Sequence, residues 1–144
     1  MATAAPTKFN DYTNQLNRAK HDWAAHVFKV LLTNTAPVAT NTVKADLTEI
    51  TAANGYPAGG VATTVTLASA AGVSTISGTQ VVITAAGGPI GPFRYAVLYN
   101  DTQTSPVDPL VEFIDYGAAQ TLADGESLTV KFNNATPGTI STTT

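Results

Sequence analysis

The groups able to do acid–base, nucleophilic or metal chemistry are few in this 144-residue sequence and poorly spaced for it. Its two histidines, His21 and His26, lie five positions apart, an offset that on a helix turns them about 140° away from each other and prevents joint chelation from that element. Asp11 and Asp22 are near them, but no H-E-x-x-H or comparable ligand spacing is present. Ser and Thr hydroxyls are abundant, yet there is no G-x-S-x-G elbow, and both histidines belong to the N-terminal segment. Cysteine is absent, which removes disulfides, thiolate zinc sites and cysteine nucleophiles together. The expectation is a chain that is not an enzyme, with no catalytic residue, no metal site and no cofactor.

Other groupings have plainer readings than their chemical ones. Gly87, Gly88, Pro89, Ile90, Gly91 and Pro92 form a glycine-rich run, but without the Lys and Ser/Thr of a phosphate loop and with prolines that remove amide donors; a rigid connection between strands is expected. Asp101, Asp108, Glu112, Asp115, Asp124 and Glu126 could gather at one end of a β-fold around calcium, though no twelve-residue D-x-D-x-D-G loop supports this. Asn54-Gly55 and Asp124-Gly125 read as turns. Phe93, Tyr95 and Tyr99 alternate with Val97 on one predicted strand face, where Tyr116 joins them; core or subunit contact is preferred over a sugar-stacking platform. Trp23, amid polar neighbours, is either a core anchor or an interface hot spot.

The elements that must position these residues are mostly strands. Between Phe9 and Val27, apolar Phe9, Tyr12, Leu16, Ala19 and Trp23 step by three or four, which predicts a helix within residues 11–25, with an irregular arm as the alternative because FNDYTN is rich in turn formers. Residues 26–33, HVFKVLLT, read as a strand that NTAP ends. Asp46 and Glu49 have capping spacing ahead of Leu47, Ile50 and Ala53, predicting one further short helix. After the small-residue hinge at 56–60, strands are predicted at 61–67, 78–85, 93–99, 110–116 and 127–132, with Leu128, Val130 and Phe132 inward and one wet face per sheet. The Thr-rich tail permits a last strand. The predicted fold is mainly β, an antiparallel β-sandwich, jelly-roll-like or barrel-like, with an N-terminal arm over residues 1–26 and a body over 27–144 in a single domain.

Composition bounds the partners. Charged residues make up 12% of the chain, about half the usual share, and the difference is filled largely by Thr, Ala, Gly and Asn. A neutral polar surface is cheap to desolvate and suits permanent contacts between copies. The seven Lys and Arg residues are scattered and the net charge is −3, so no basic stripe addresses nucleic acid directly. MATAAPTKFNDY has no apolar h-region and no long apolar run follows, so neither export nor membrane insertion is expected, and synthesis is expected in a host cytoplasm.

In order along the chain, KFNDYTNQL, HDWAAHVFKVLLTNTAP, AANGYPAGG, FRYAVLYND, LVEFIDYG and GESLTVKFN resemble a family of small virion proteins of tailed bacteriophages. The marks of that family present here are the W-x4-FKVxLxN strand at Trp23 and residues 28–34, the Gly-Tyr-x-x-Gly-Gly loop at 55–60 and the YAVLYND strand at 95–101. The resemblance implies a capsid decoration or cement protein, located in the virion on the capsid surface, that binds the major capsid protein and forms a homo-oligomer, a trimer being favoured. Lys8, Phe9, Tyr12 and Trp23, on an arm reaching to neighbours, are the expected partner-binding residues. The alternative is a tail or tail-fibre component that binds host surfaces; a cell-wall hydrolase ranks last.

Overall fold

The computed structural model describes residues 5–134 and 138–143. Residues 1–4 of the expected N-terminal arm lie outside the described residues, as do residues 135–137 and 144 of the tail. In chain order the elements are β1 (Thr7–Lys8), α1 (Tyr12–Asn17), β2 (Phe28–Thr33), β3 (Val61–Thr63), β4 (Val65–Ala70), β5 (Val73–Gly78), β6 (Val81–Thr84), β7 (Ile90–Asn100), β8 (Leu110–Leu122), β9 (Ser127–Val130) and β10 (Gly138–Thr143). Strand accounts for 50% and helix for 8%, so the class is mainly β, as expected, and every pairing is antiparallel.

A five-stranded sheet runs β1-β8-β7-β2-β3, a three-stranded sheet β10-β5-β4, and β6 pairs with β9. Val30, Leu32, Ala96 and Leu98 project from one face of the large sheet into a core completed by Ile76, Val81, Ile83, Leu128 and Val130 of the two smaller sheets. The intervening Leu31, Val97 and Tyr99 project the other way and meet Phe9, Leu110, Leu47 and Phe113. The expected wet face is therefore missing from the large sheet, because the segment between β2 and β3 folds back over it. In the β6–β9 pair the expectation holds: Val81, Ile83, Leu128 and Val130 are buried while Val82, Thr84, Ser127 and Thr129 face outward.

Of the two predicted helices, the N-terminal one forms within its predicted bounds and the second is corrected. The N-terminal one ends at Asn17, since Ala19 takes a left-handed φ of 55° and its N–H and that of Lys20 bond back to Leu16 and Gln15 carbonyls. At the second site only a short 3-10 turn, Lys44–Asp46, forms. Asp46 is its last residue rather than a cap, its carboxylate accepting the backbone N–H groups of Thr42 (2.8 Å) and Val43 (3.2 Å), which holds its pKa below the usual carboxylate range.

A bulge in β8 decides where Glu112 points. Leu98 pairs with Glu112 and Tyr99 with Leu110, leaving Val111 as an extra residue that shifts the alternation by one. Glu112 is thereby placed beside buried Val111, and its neighbour across β1 is Lys8.

Candidate functional site

Of the residues expected to bind a partner, Phe9, Tyr12 and Trp23 lie inside the molecule, while the Lys8 side chain stays 35% exposed. Trp23 stacks flat on Phe28 with centroids 4.2 Å apart and planes 9° from parallel; Tyr12 meets Trp23 edge-on at 6.4 Å, and His21 fits among all three. Phe9 lies on the opposite face of the large sheet, against Phe113 at 5.1 Å. Phe9, Tyr12 and Trp23 are all buried by the chain's own fold, so the picture of an arm holding them out to a neighbour is corrected. Instead, β1 adds an edge strand to β8 and α1 packs its Tyr12 side inward. The Trp23 alternative resolves as a core anchor.

Lys8 ties these elements together. Its ammonium lies 4.9 Å from the Tyr12 ring centroid, pairs with the Glu112 carboxylate and donates to the Ile140 carbonyl oxygen of β10. Glu112 is 1% exposed, and burial raises its pKa despite the opposing effect of Lys8. Burial also raises the Tyr116 phenol to about 12. These are groups held neutral or paired by a dry environment.

His21 and His26 do converge, contrary to the helical geometry expected, because the helix has ended before either is reached. Both turn Nδ1 toward Nδ2 of the fully buried Asn100, at 3.3 and 2.9 Å. Asn100 Oδ1 accepts the backbone N–H groups of Thr102 (3.1 Å) and Gln103 (3.2 Å), which fixes the amide orientation. Its NH₂ must therefore donate, and its two protons are shared among three acceptors, Nδ1 of His21, Nδ1 of His26 and the Lys20 carbonyl oxygen at 3.2 Å. Burial first, then His26, lowers the His21 imidazole to about 4. The contacts of Asn100 with both rings and with the Lys20 carbonyl tie the turn after α1 to the end of β7. Among the described residues no three His, Cys, Asp or Glu side chains come together as a metal set.

The Gly-Tyr-x-x-Gly-Gly loop is a second fastening. The Tyr56 hydroxyl accepts the Leu32 N–H at 2.9 Å and donates to Glu49 Oε1 at 2.7 Å, and the same oxygen accepts the Gly59 N–H at 2.8 Å. Tyr99 donates to the Gly59 carbonyl at 2.7 Å. Gly60, with φ of 82°, lies so close to β2 that a Cβ on it would meet the Val30 carbonyl oxygen at 1.9 Å. No motif spacing announces these partners, which lie between 7 and 40 positions apart.

The remaining candidates disperse. Asp101 pairs with Lys29 (2.8 Å) and Asp115 with Arg94 (2.7 Å), while Asp124 accepts the Gly87 N–H (2.9 Å) and Glu126 that of Ala123 (2.8 Å). Phe93 and Tyr99 do not share a face: Phe93 belongs to one core and Tyr99 to the other, because bulges separate them, and both are buried. A cleft of about 360 Å³ opens between Leu31, Lys44, Leu47, Glu49, Val107 and Asp108.

What faces solvent without charge is the outer sheet. No charged residue or histidine occurs between Glu49 and Arg94, the stretch that supplies β3 to β6. Every residue of β4 after Val65 is exposed. Leu67 of β4 and Val82 of the neighbouring β6 are large apolar side chains left 46% and 49% exposed.

No family model matches the chain, and neither the curated proteins nor the solved structures contain a match.

Proposed function

We propose that this chain is a structural virion protein of a tailed bacteriophage, one that decorates or cements the capsid by binding the major capsid protein lattice and copies of itself. The observation carrying this reading is the uncharged, solvent-facing outer sheet. Charged side chains are the usual guard of exposed strands, and a surface without them is suited to being covered. The resemblance carried by the residues around Trp23, the 55–60 loop and the 95–101 strand supplies the kind of assembly. Two further features agree. The polar groups that converge do so as fastenings, on Asn100 and Glu49, which suits a part that must be rigid. Lys8, Lys29 and Arg94 are matched by carboxylates, which suits a protein that does not grip nucleic acid.

With Phe9, Tyr12 and Trp23 used internally, attachment falls to the sheets. The test is to add purified protein to capsids lacking decoration and count bound copies in images of the particles. Saturable binding at regular lattice positions, with raised heat resistance of the shell, is expected. Absence of binding at saturating concentration overturns the capsid reading.

A further inference from the structure

We propose that the free edge of β4 is a self-association site, which pairs antiparallel with β4 of a second copy about a two-fold axis at Leu67. This rests on the self-association proposed for the chain and names its surface.

The register of the β4–β5 hairpin decides which backbone groups are free. Its loop is the two residues Ala71 and Gly72, with φ of 52° and 79°, the left-handed pair of a type I′ turn. In such a hairpin Ala70 and Val73, flanking the turn, exchange hydrogen bonds, and bonded and non-bonded pairs alternate from there. Ala68 with Thr75 and Thr66 with Ser77 are then bonded pairs, whereas Ser69, Leu67 and Val65 direct N–H and C=O away from β5. None of these outward groups meets a backbone or side-chain partner among the described residues. Three evenly spaced donor–acceptor positions on a straight strand fit one occupant, another strand.

The other edges are shorter or guarded, β6 and β9 having four residues each. β1 is two residues long and carries Lys8; β10 has its Ile140 carbonyl taken by Lys8; β3 is three residues long. β4 has six residues with no Lys, Pro or bulge. Its own sequence, VTLASA, also fits itself. Two-fold pairing at Leu67 sets Leu67 against Leu67, Val65 against Ser69 and Thr66 against Ala68, so no charge meets a like charge and the half-exposed leucines cover one another. The product is a continuous sheet, β10-β5-β4 joined to its copy. Such contacts link copies in pairs, so this edge gives a two-fold contact and not the three-fold one expected from the resemblance.

The absence of cysteine makes the register directly readable. Full-length Leu67→Cys is predicted to oxidise to a covalent dimer at micromolar concentration, because the two Cα atoms of a bonded antiparallel pair lie about 5.5 Å apart, within disulfide reach. Gly72→Cys, at the hairpin tip and far from its copy in this register, is predicted to stay monomeric on non-reducing gels. In sedimentation the unmodified protein should show a species of twice 14.8 kDa, and Leu67→Lys should weaken it at least tenfold while Val82→Lys leaves it unchanged. Circular dichroism matching the unmodified protein establishes that each variant is folded. A folded Leu67→Lys that dimerises normally, or equal cross-linking at positions 67 and 72, overturns the edge while leaving self-association standing. An unmodified protein that is monomeric at 100-fold higher concentration overturns both the edge and the self-association reading, but not capsid binding, which the decoration experiment reads separately.

Discussion

The indole of Trp23 lies parallel to the ring of Phe28, centroids 4.2 Å apart, so the turn that follows the N-terminal helix and the first residue of β2 share one stack. Trp23→Ala removes the larger ring from a site with Tyr12 and His21 on its other sides. A loss of about 3 to 5 kcal/mol is expected. Urea unfolding should show it, with His26→Ala costing clearly less, because the His26 ring is partly exposed.

His21 sets a pH dependence. Its ordinary value is 6.5 and its folded value about 4, so between these the unfolded chain binds a proton that the folded one refuses. Stability from this group is whole above about pH 6.5 and is lost as the pH falls toward 4. The full effect is about 3 kcal/mol. His21→Gln should flatten this part of the stability profile. Glu112, titrating in both proteins, cancels in the difference.

Breaking the pair between Lys8 and Glu112 leaves a buried carboxylate alone. Lys8→Met should cost about 2 to 3 kcal/mol at pH 7, below the value for a fully buried pair because the Lys8 side chain is 35% exposed. The folded pKa of Glu112 is already raised, so its charge opposes folding increasingly as the pH rises above its unfolded value. The Lys8→Met deficit should therefore shrink toward pH 4.5, and adding Glu112→Gln should restore most of the loss at pH 7. Denaturant titrations at the two pH values check both statements.

Two glycines separate backbone strain from steric collision. Gly72 and Gly60 both have positive φ, near 80°, but a Cβ on Gly72 meets nothing within 4 Å while one on Gly60 meets the Val30 carbonyl. Gly72→Ala should cost about 1 kcal/mol. Gly60→Ala should cost more than about 3 kcal/mol, since β2 must move to admit it. Thermal melts of the two variants give the comparison.

Removing residues 2–12 should abolish cooperative unfolding rather than release a dispensable arm. Phe9 and Tyr12 are core side chains, each worth about 3 to 5 kcal/mol, against a total stability of about 5 to 15 kcal/mol for a domain. Circular dichroism on heating the truncated chain would show a shallow, non-sigmoidal change.

The strands with strict alternation are legible in the sequence: residues 26–33 contain β2, and Leu128, Val130 and Phe132 are buried as their spacing requires. The β5 segment VSTISG is not, because its small hydroxyl residues carry little apolar signal in a Thr/Ala/Gly-rich stretch. Phe93 and Tyr99 read as one face because period two cannot foresee a bulge. Phe9, Tyr12 and Trp23 stand out as the important N-terminal side chains, but sequence cannot tell an aromatic that anchors its own core from one that anchors a neighbour's. The meeting of His21, His26 and Asn100 depends on where a helix stops, and a left-handed alanine at position 19 is not a signal that propensity provides.

β3 and β4 are one length of chain that passes from the five-stranded sheet into the outer sheet at Thr64, where Thr79 closes the bend: its N–H donates to the Thr64 carbonyl at 2.9 Å, and its hydroxyl accepts the Thr64 N–H at 3.1 Å. Traction on the outer sheet thus enters the inner one along β3, whose partner Phe28–Val30 segment must slide lengthwise before anything yields. Hydrogen bonds sheared side by side fail together, whereas bonds opened from one end fail singly. The joint at Thr64 makes the outer sheet a handle set into the core, and what it governs is resistance to a sustained pull.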